Sequence, residues 1–143
     1  MSELTLEAAQ IMLSAGLAHA RANKMNPLGL VIIDARGALK ASAMEDGTSL
    51  MRWKVAFGKA YGGVAWGVGT RKLGVMAAER PQFMAAASHL SEAGLIPVAG
   101  GVLIRDAHGH LLGAFGVSGD TSDNDELVAS AGIAAAGLVA DGG

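Results

Sequence analysis

Few side chains in this sequence can do chemistry, and they are widely spaced. His19 falls within Ala8-Met12-Ala15-His19-Ala22, a stripe with the three-and-four spacing of one helix face, and an imidazole there can bind a metal or shuttle a proton. Lys54 and Lys59 lie five apart on one helical stretch, about 140° around it, and so do not form a single clamp. Ser118, Gly119 and Asp120 follow the glycine-rich run Gly113-Ala114-Phe115-Gly116-Val117 and lead into a stretch rich in acids, Asp123, Asp125 and Glu126. Gly100 and Gly101 stand before the preceding apolar run, where the missing Cβ permits a close backbone approach. His108 and His110 flank Gly109; as a pair they could hold a metal only weakly, and no third ligand stands at a telling spacing. No Walker lysine follows Gly116 to Ser122, and the local acids suit helix capping better than phosphate binding.

The elements that must hold these residues follow from patterning. Thr5 is an N-cap, and Asn26 with Pro27 ends the first helix. Leu28 to Ile33 is a continuous apolar run expected to be buried on both faces, and a turn at Asp34 to Gly37 returns the chain through Leu39 to Met44. The phrase Asp34-Ala35-Arg36-Gly37-Ala38-Leu39 has a counterpart in Asp106-Ala107-His108-Gly109-His110-Leu111, so two hairpins share one turn chemistry: Asp opens the turn and Gly takes the left-handed position. Between them, Thr48 or Ser49 caps a helix with Leu50, Trp53, Phe57, Ala60 and Val64 on one stripe, the aromatics reading as core. Gly58 and Gly62 in that helix imply close packing. Thr70 caps a short helix ending near Arg80, Pro81 opens another covering Phe83 to Leu90, and Leu95 to Val98 suits a short edge strand. Ser122 and Asp125 have capping-box spacing for a last helix, with Leu127, Val128, Ala131, Ala134, Ala135 and Leu138 on its apolar side. Helix, hairpin, helices, hairpin, helix makes an α+β domain with an antiparallel sheet, one domain over residues 1–143.

Composition limits the function classes. A net charge of −2 with interspersed signs argues against a nucleic-acid partner. The chain has no Cys, which excludes thiol catalysis, disulfides and thiolate metal sites. The acidic start is unlike a signal peptide and no run reaches the length of a membrane span, so the expected setting is cytoplasmic, without a membrane partner. Hydrophobic residues make up 51% against 17% charged, so self-association is expected.

Taken together, Ile33-Asp34-Ala35 with Gly37, Asp46-Gly47, Ala56 with Lys59-Ala60, Gly100-Gly101-Val102 and Gly113-Ala114-Phe115-Gly116-Val117-Ser118-Gly119 followed by Asp125-Glu126 run in the order of a known family. The chain resembles the GlcG/HbpS-like heme-binding family, which includes the C-terminal domain of PduO-type corrinoid adenosyltransferases. The resemblance implies a profilin-like sheet flanked by helices, a homo-oligomer (tetramer or octamer) and binding of heme or another tetrapyrrole. Leu103 stands where that family usually has Pro, and Tyr61 and Gly62 where it has Arg and Thr. Under this reading His19 is the candidate heme-iron ligand, and Lys59, Gly100, Gly101, Ser118, Gly119 and Asp120 line the ligand site. The alternative is an enzyme of small-molecule catabolism acting on a carboxylic or aromatic metabolite, with Asp120, His19 or Lys59 as acid or base.

Overall fold

The computed structural model describes residues 3–143. Its elements are α1 (Leu6–Ala22), β1 (Gly29–Asp34), β2 (Leu39–Met44), α2 (Arg52–Trp66), α3 (Thr70–Glu79), α4 (Pro81–Ser88), β3 (Gly101–Arg105), β4 (Leu111–Ser118), α5 (Ser122–Ala135) and β5 (Val139–Asp141). The five strands form one antiparallel sheet in the order β2-β1-β4-β3-β5. The expected α+β class with helices flanking an antiparallel sheet is what the chain adopts.

Alternation along the central strands sorts the core into two layers. Leu30, Ile32, Val102, Ile104, Phe115 and Val117 point to one face, where α1 and α5 cover them with Met12, Val128 and Ile133. Val31, Ile33, Leu103 and Ala114 point to the other, under Ala56 and Ala60 of α2. A small satellite core of Leu73, Met84 and Leu95 joins α3 and α4 to this second side.

Glycine decides how close the layers come. A Cβ at Gly116 would overlap the carbonyl oxygen of Ala56, and one at Gly101 would overlap that of Lys59, so α2 lies with its backbone directly on β3 and β4. The nearest neighbour of Gly101 and Gly116 is therefore a helix of the same chain. On the opposite face, a Cβ at Gly16 would stand 3.3 Å from Val128 and one at Gly132 would overlap the Met12 carbonyl, so α1 and α5 cross antiparallel at short range.

The two matching turns are built alike. The Asp34 carboxylate accepts from the amides of Arg36 and Ala38 at 2.9 and 3.0 Å, and Asp106 accepts from those of His108 and His110 at 2.9 Å each. Gly37 and Gly109 take φ values of +89° and +86°.

Several expectations shift. On α1 the buried line is Ala8, Met12, Gly16 and Ala20; Ala15 and His19 flank it, and Ala22 is exposed. On α2 the buried face is small, with Ala56, Gly58, Lys59, Ala60, Gly62 and Gly63; of the expected stripe, Ala60 is buried and Phe57 and Val64 are half-buried against the same core, while Leu50 and Trp53 lie outside it, Trp53 43% exposed. Small residues win the inner face because only they let the helix touch the sheet backbone. Gly58 and Gly62 pack instead against Ile96 and Leu95. Leu95 to Val98 is irregular chain, and the edge position beside β3 goes to β5, three residues too few to show a pattern in sequence. The last helix is capped by Thr121, whose hydroxyl accepts from the Asn124 amide at 3.2 Å; Asp125 is one position too late for a capping box. Its buried side is Val128, Ala129, Gly132 and Ile133, leaving Leu127 and Ala134 outside. No side chain caps α2: Met51 holds that position, while the Thr48 hydroxyl donates to the Glu45 carbonyl. Thr70 sits inside α3 rather than capping it.

Candidate functional site

The sequence-selected residues gather in two places. The first is where β4 ends and α5 begins, under α2. Here Lys59 turns inward with 3% of its side chain exposed, donating from Nζ to the Val117 carbonyl at 2.9 Å and to Asp125 Oδ2 at 3.1 Å. Gly100, at φ +118°, leaves room for that ammonium, which would lie 2.7 Å from a Cβ. Asp125 Oδ1 accepts from the Asp120 amide at 3.0 Å. Ser118 Oγ accepts from Arg52 Nη1 at 3.0 Å, and Gly101 is clasped by the buried Thr70 hydroxyl, which takes its amide at 2.8 Å and reaches its carbonyl at 3.3 Å. Burial lowers the Lys59 pKa and raises that of Asp125, each pushed toward its neutral form while the partner's charge pulls back.

The second place is the C-terminal end of α1. His19 is half-buried, its carbonyl accepts from Asn23 Nδ2 at 2.8 Å, and among the described residues its imidazole has no hydrogen-bond partner. Because Met12 faces Gly132 and Gly16 faces Val128, one further antiparallel turn sets His19 level with the first turn of α5. Exposed Leu127 lies one turn further along α5, and Ile11 and Ala15 lie earlier on α1, beside a shallow groove of about 530 Å³ lined by Glu7, Gln10, Ile11, Ser14 and Ala15.

Asp120 ties the two places together. Its Oδ1 accepts from the Asn26 amide at 2.9 Å and its Oδ2 from Asn124 Nδ2 at 2.7 Å, and these bonds, led by the Asn26 amide, hold its carboxyl below the usual range. Gly119, at φ +149°, lets the same loop pass over Pro27. A chain of contacts thus runs from Lys59 through Asp125 and Asp120 to the loop that follows His19. The sheet nevertheless stands between α1 and α2, so His19 and Lys59 do not line one cavity within a single chain.

His108 and His110 occupy an exposed turn, rings 6.1 Å apart; His110 Nδ1 lies 2.9 Å from Asp106, and no three metal-ligating side chains converge among the described residues. Two residues escaped sequence reasoning: Asp125 as the partner of Lys59, and Arg52 as the partner of Ser118. A lysine on a helix face otherwise made of Ala and Gly is the available signal, since a buried ammonium requires a carboxylate.

A single twisted antiparallel sheet between two helical layers, with a polar seam closing one end and an unengaged imidazole beside it, defines a class of small α+β domain. Residues 4–134 match the family model described as haem degrading protein HbpS-like, and the chain belongs to that family. Among solved structures it is similar to a double mutant of Streptomyces reticuli HbpS (27% identity, 94% of this chain and 87% of that one, TM-score 0.80). It is also similar to a PduOC:heme complex (24% identity, 95% and 96% covered, TM-score 0.85) and to Klebsiella pneumoniae protein ORFY (22% identity, 96% and 92% covered, TM-score 0.84). No curated protein matches the chain. None of the helices among the described residues is long and apolar enough to cross a membrane.

Proposed function

We propose that this protein binds heme or another tetrapyrrole, with His19 as the ligand to the iron, and works as a homo-oligomer. The observation that carries the reading is His19 itself. In a chain of a heme-associated family it offers a half-buried ring without a protein partner among the described residues, near the end of a helix that carries Ala15 one turn before it and exposed Ile11 two turns before it. An imidazole nitrogen suits heme iron, and an open apolar surface suits a flat macrocycle better than a compact polar pocket does. The bound group would supply the iron chemistry; the chain's part is to ligate it and shield one side.

In this reading Gly100, Gly101, Ser118, Gly119 and Asp120 shape the support of the site. Lys59 acts through that support, because its ammonium already serves Asp125 and Val117. The same contacts disfavour the enzyme alternative: Lys59 is held in an ion pair and both Asp120 oxygens accept hydrogen bonds, which leaves neither free as an acid or base.

The test is a hemin titration followed by the Soret band. Wild type is expected to develop a shifted, saturable band, and His19→Ala, with unchanged circular dichroism, to lose it. No band with wild type, or the same band in both, removes His19 as ligand.

A further inference from the structure

The sequence holds two Asp-Gly pairs, Asp46-Gly47 and Asp141-Gly142, and the fold treats them differently; every other aspartate is followed by a residue with a side chain. An aspartate before glycine can react with its own backbone. The amide nitrogen of the next residue attacks the side-chain carboxyl carbon, and glycine has no Cβ to obstruct the approach. The attack needs an unengaged carboxyl group and a peptide unit free to rotate toward it. Asp141-Gly142 has neither. Asp141 is paired with Leu103 in the sheet, its Oδ2 accepts from Arg105 Nε at 2.9 Å and its Oδ1 from the Gly143 amide at 3.2 Å. The Gly142 carbonyl accepts from the Arg71 amide at 3.3 Å, and Gly142 lies so close to Gly69 that a Cβ there would overlap it.

Asp46-Gly47 has both freedoms. The pair is exposed at the middle of a turn closed over it by Thr48, whose amide and hydroxyl donate to the Glu45 carbonyl at 3.3 and 3.0 Å. Among the described residues the Asp46 carboxylate has no hydrogen bond or ion pair, and the Gly47 amide donates to nothing. Gly47 takes φ +88°, and a Cβ on it would meet only Pro27, at 3.5 Å. We propose that Asp46 is a site of spontaneous isomerisation to isoaspartate. The Gly47 nitrogen bonds to Asp46 Cγ, its proton and the carboxyl hydroxyl leave as water, and a cyclic imide forms. Water then adds at the main-chain carbonyl of the imide and breaks its bond to nitrogen. The chain now runs through Cγ, and the former carbonyl carbon is a free carboxylate. One water leaves and one enters, so mass is unchanged and no oxidant, reductant or cofactor takes part.

The product adds a methylene to the main chain beside Glu45, the residue that moors the segment between α1 and β1. The Glu45 amide donates to the Leu28 carbonyl at 2.9 Å, and its carboxylate accepts from the Leu28 amide at 2.9 Å and from Arg21 Nε at 3.0 Å. Conversion of one exposed residue therefore slackens the turn that aims these contacts.

The site is independent of the ligand reading, and its test contains no hemin. The purified chain is aged at neutral pH and physiological temperature and digested with trypsin. Isoaspartyl peptides, equal in mass but separable by reversed-phase chromatography, are then assigned by electron-transfer fragmentation. Asp46 is expected to convert about ten-fold faster than Asp141, the factor set by opening one or two hydrogen bonds before reaction. In urea, where both pairs lose their surroundings, the two rates are expected to converge. Asp46→Glu closes no such ring, so its peptide 41–52 is expected to stay unconverted. Aged wild type is expected to melt lower than fresh protein, and aged Asp46→Glu to melt as before. Equal rates in the folded protein, a faster Asp141, or a difference that survives unfolding overturns the proposal. An aged wild type that carries the isoaspartate yet melts like fresh protein overturns the link to Glu45.

Discussion

At the scale of single residues, the least expendable polar contact is the ion pair of Lys59 and Asp125. Two charges at 3% and 2% exposure are taken out of water together, and each depends on the other to stay tolerable. Lys59→Met is expected to destabilise the fold by about 3–5 kcal/mol by urea denaturation, and Asp125→Leu by a similar amount, because each leaves a buried charge unmatched. The double variant is expected to recover much of the loss; losses that simply add would show that the two side chains act separately. The residue scale is also where sequence reading reached least far. His19 and Lys59 stood out by type and position, but nothing in the spacing of Lys59 and Asp125, or of Arg52 and Ser118, announces contacts across more than sixty residues. Burial of Lys59 follows only once α2 is known to press its small face to the sheet.

Among the elements, local chemistry was legible and facing was not. The two hairpin turns could be foreseen because Asp and Gly there satisfy short-range hydrogen bonds and a positive φ that need no tertiary context. The first strand, apolar throughout, was readable as doubly covered, and it is. Helices α1 and α5 were placed in the chain yet turned wrongly, and α2 only in part rightly, for one shared reason. Hydrophobic periodicity assumes the larger apolar residues face inward, whereas Gly16, Gly132 and the Ala56–Gly63 face trade side-chain burial for backbone proximity. This yields a pointed prediction. Gly116→Ala adds a methyl group where the Ala56 carbonyl already lies, so it is expected to unseat α2 and cost several kcal/mol, visible as a large fall in melting temperature. Thr121→Ala removes only the cap of α5 and is expected to cost about 1 kcal/mol in the same measurement. Comparable losses in the two would mean that the sheet–helix contact yields more readily than its geometry requires.

For the molecule as a whole, three aspartates distribute one pH dependence over the loops that join its layers. Burial raises the carboxyl pKa at Asp34 and Asp106, but in each the hydrogen bonds of the turn outweigh it. Asp34 is lowered by the Ala38 and Arg36 amides and the Arg36 guanidinium, and Asp106 falls to about 2 through bonds from His110 and His108. Asp120 is lowered chiefly by the Asn26 amide. In each case the folded pKa lies below the unfolded one, so the unfolded chain takes up protons first as the solution is acidified. The stabilising contribution is complete above the ordinary carboxyl pKa near 4 and disappears as pH falls toward 2. Urea midpoints are accordingly expected to hold level from neutrality to about pH 5 and then drop steeply. Asp106→Asn cannot titrate at the second turn, so it should start lower at neutral pH and fall less across the acid range, the two curves converging near pH 2. Parallel curves would remove Asp106 from the linkage and leave the acid sensitivity to Asp34 and Asp120. Since those carboxylates anchor β1 to β2, β3 to β4, and the loop after α1 to the start of α5, acid is expected to release the α1–α5 side that carries His19 together with the sheet, in a single transition.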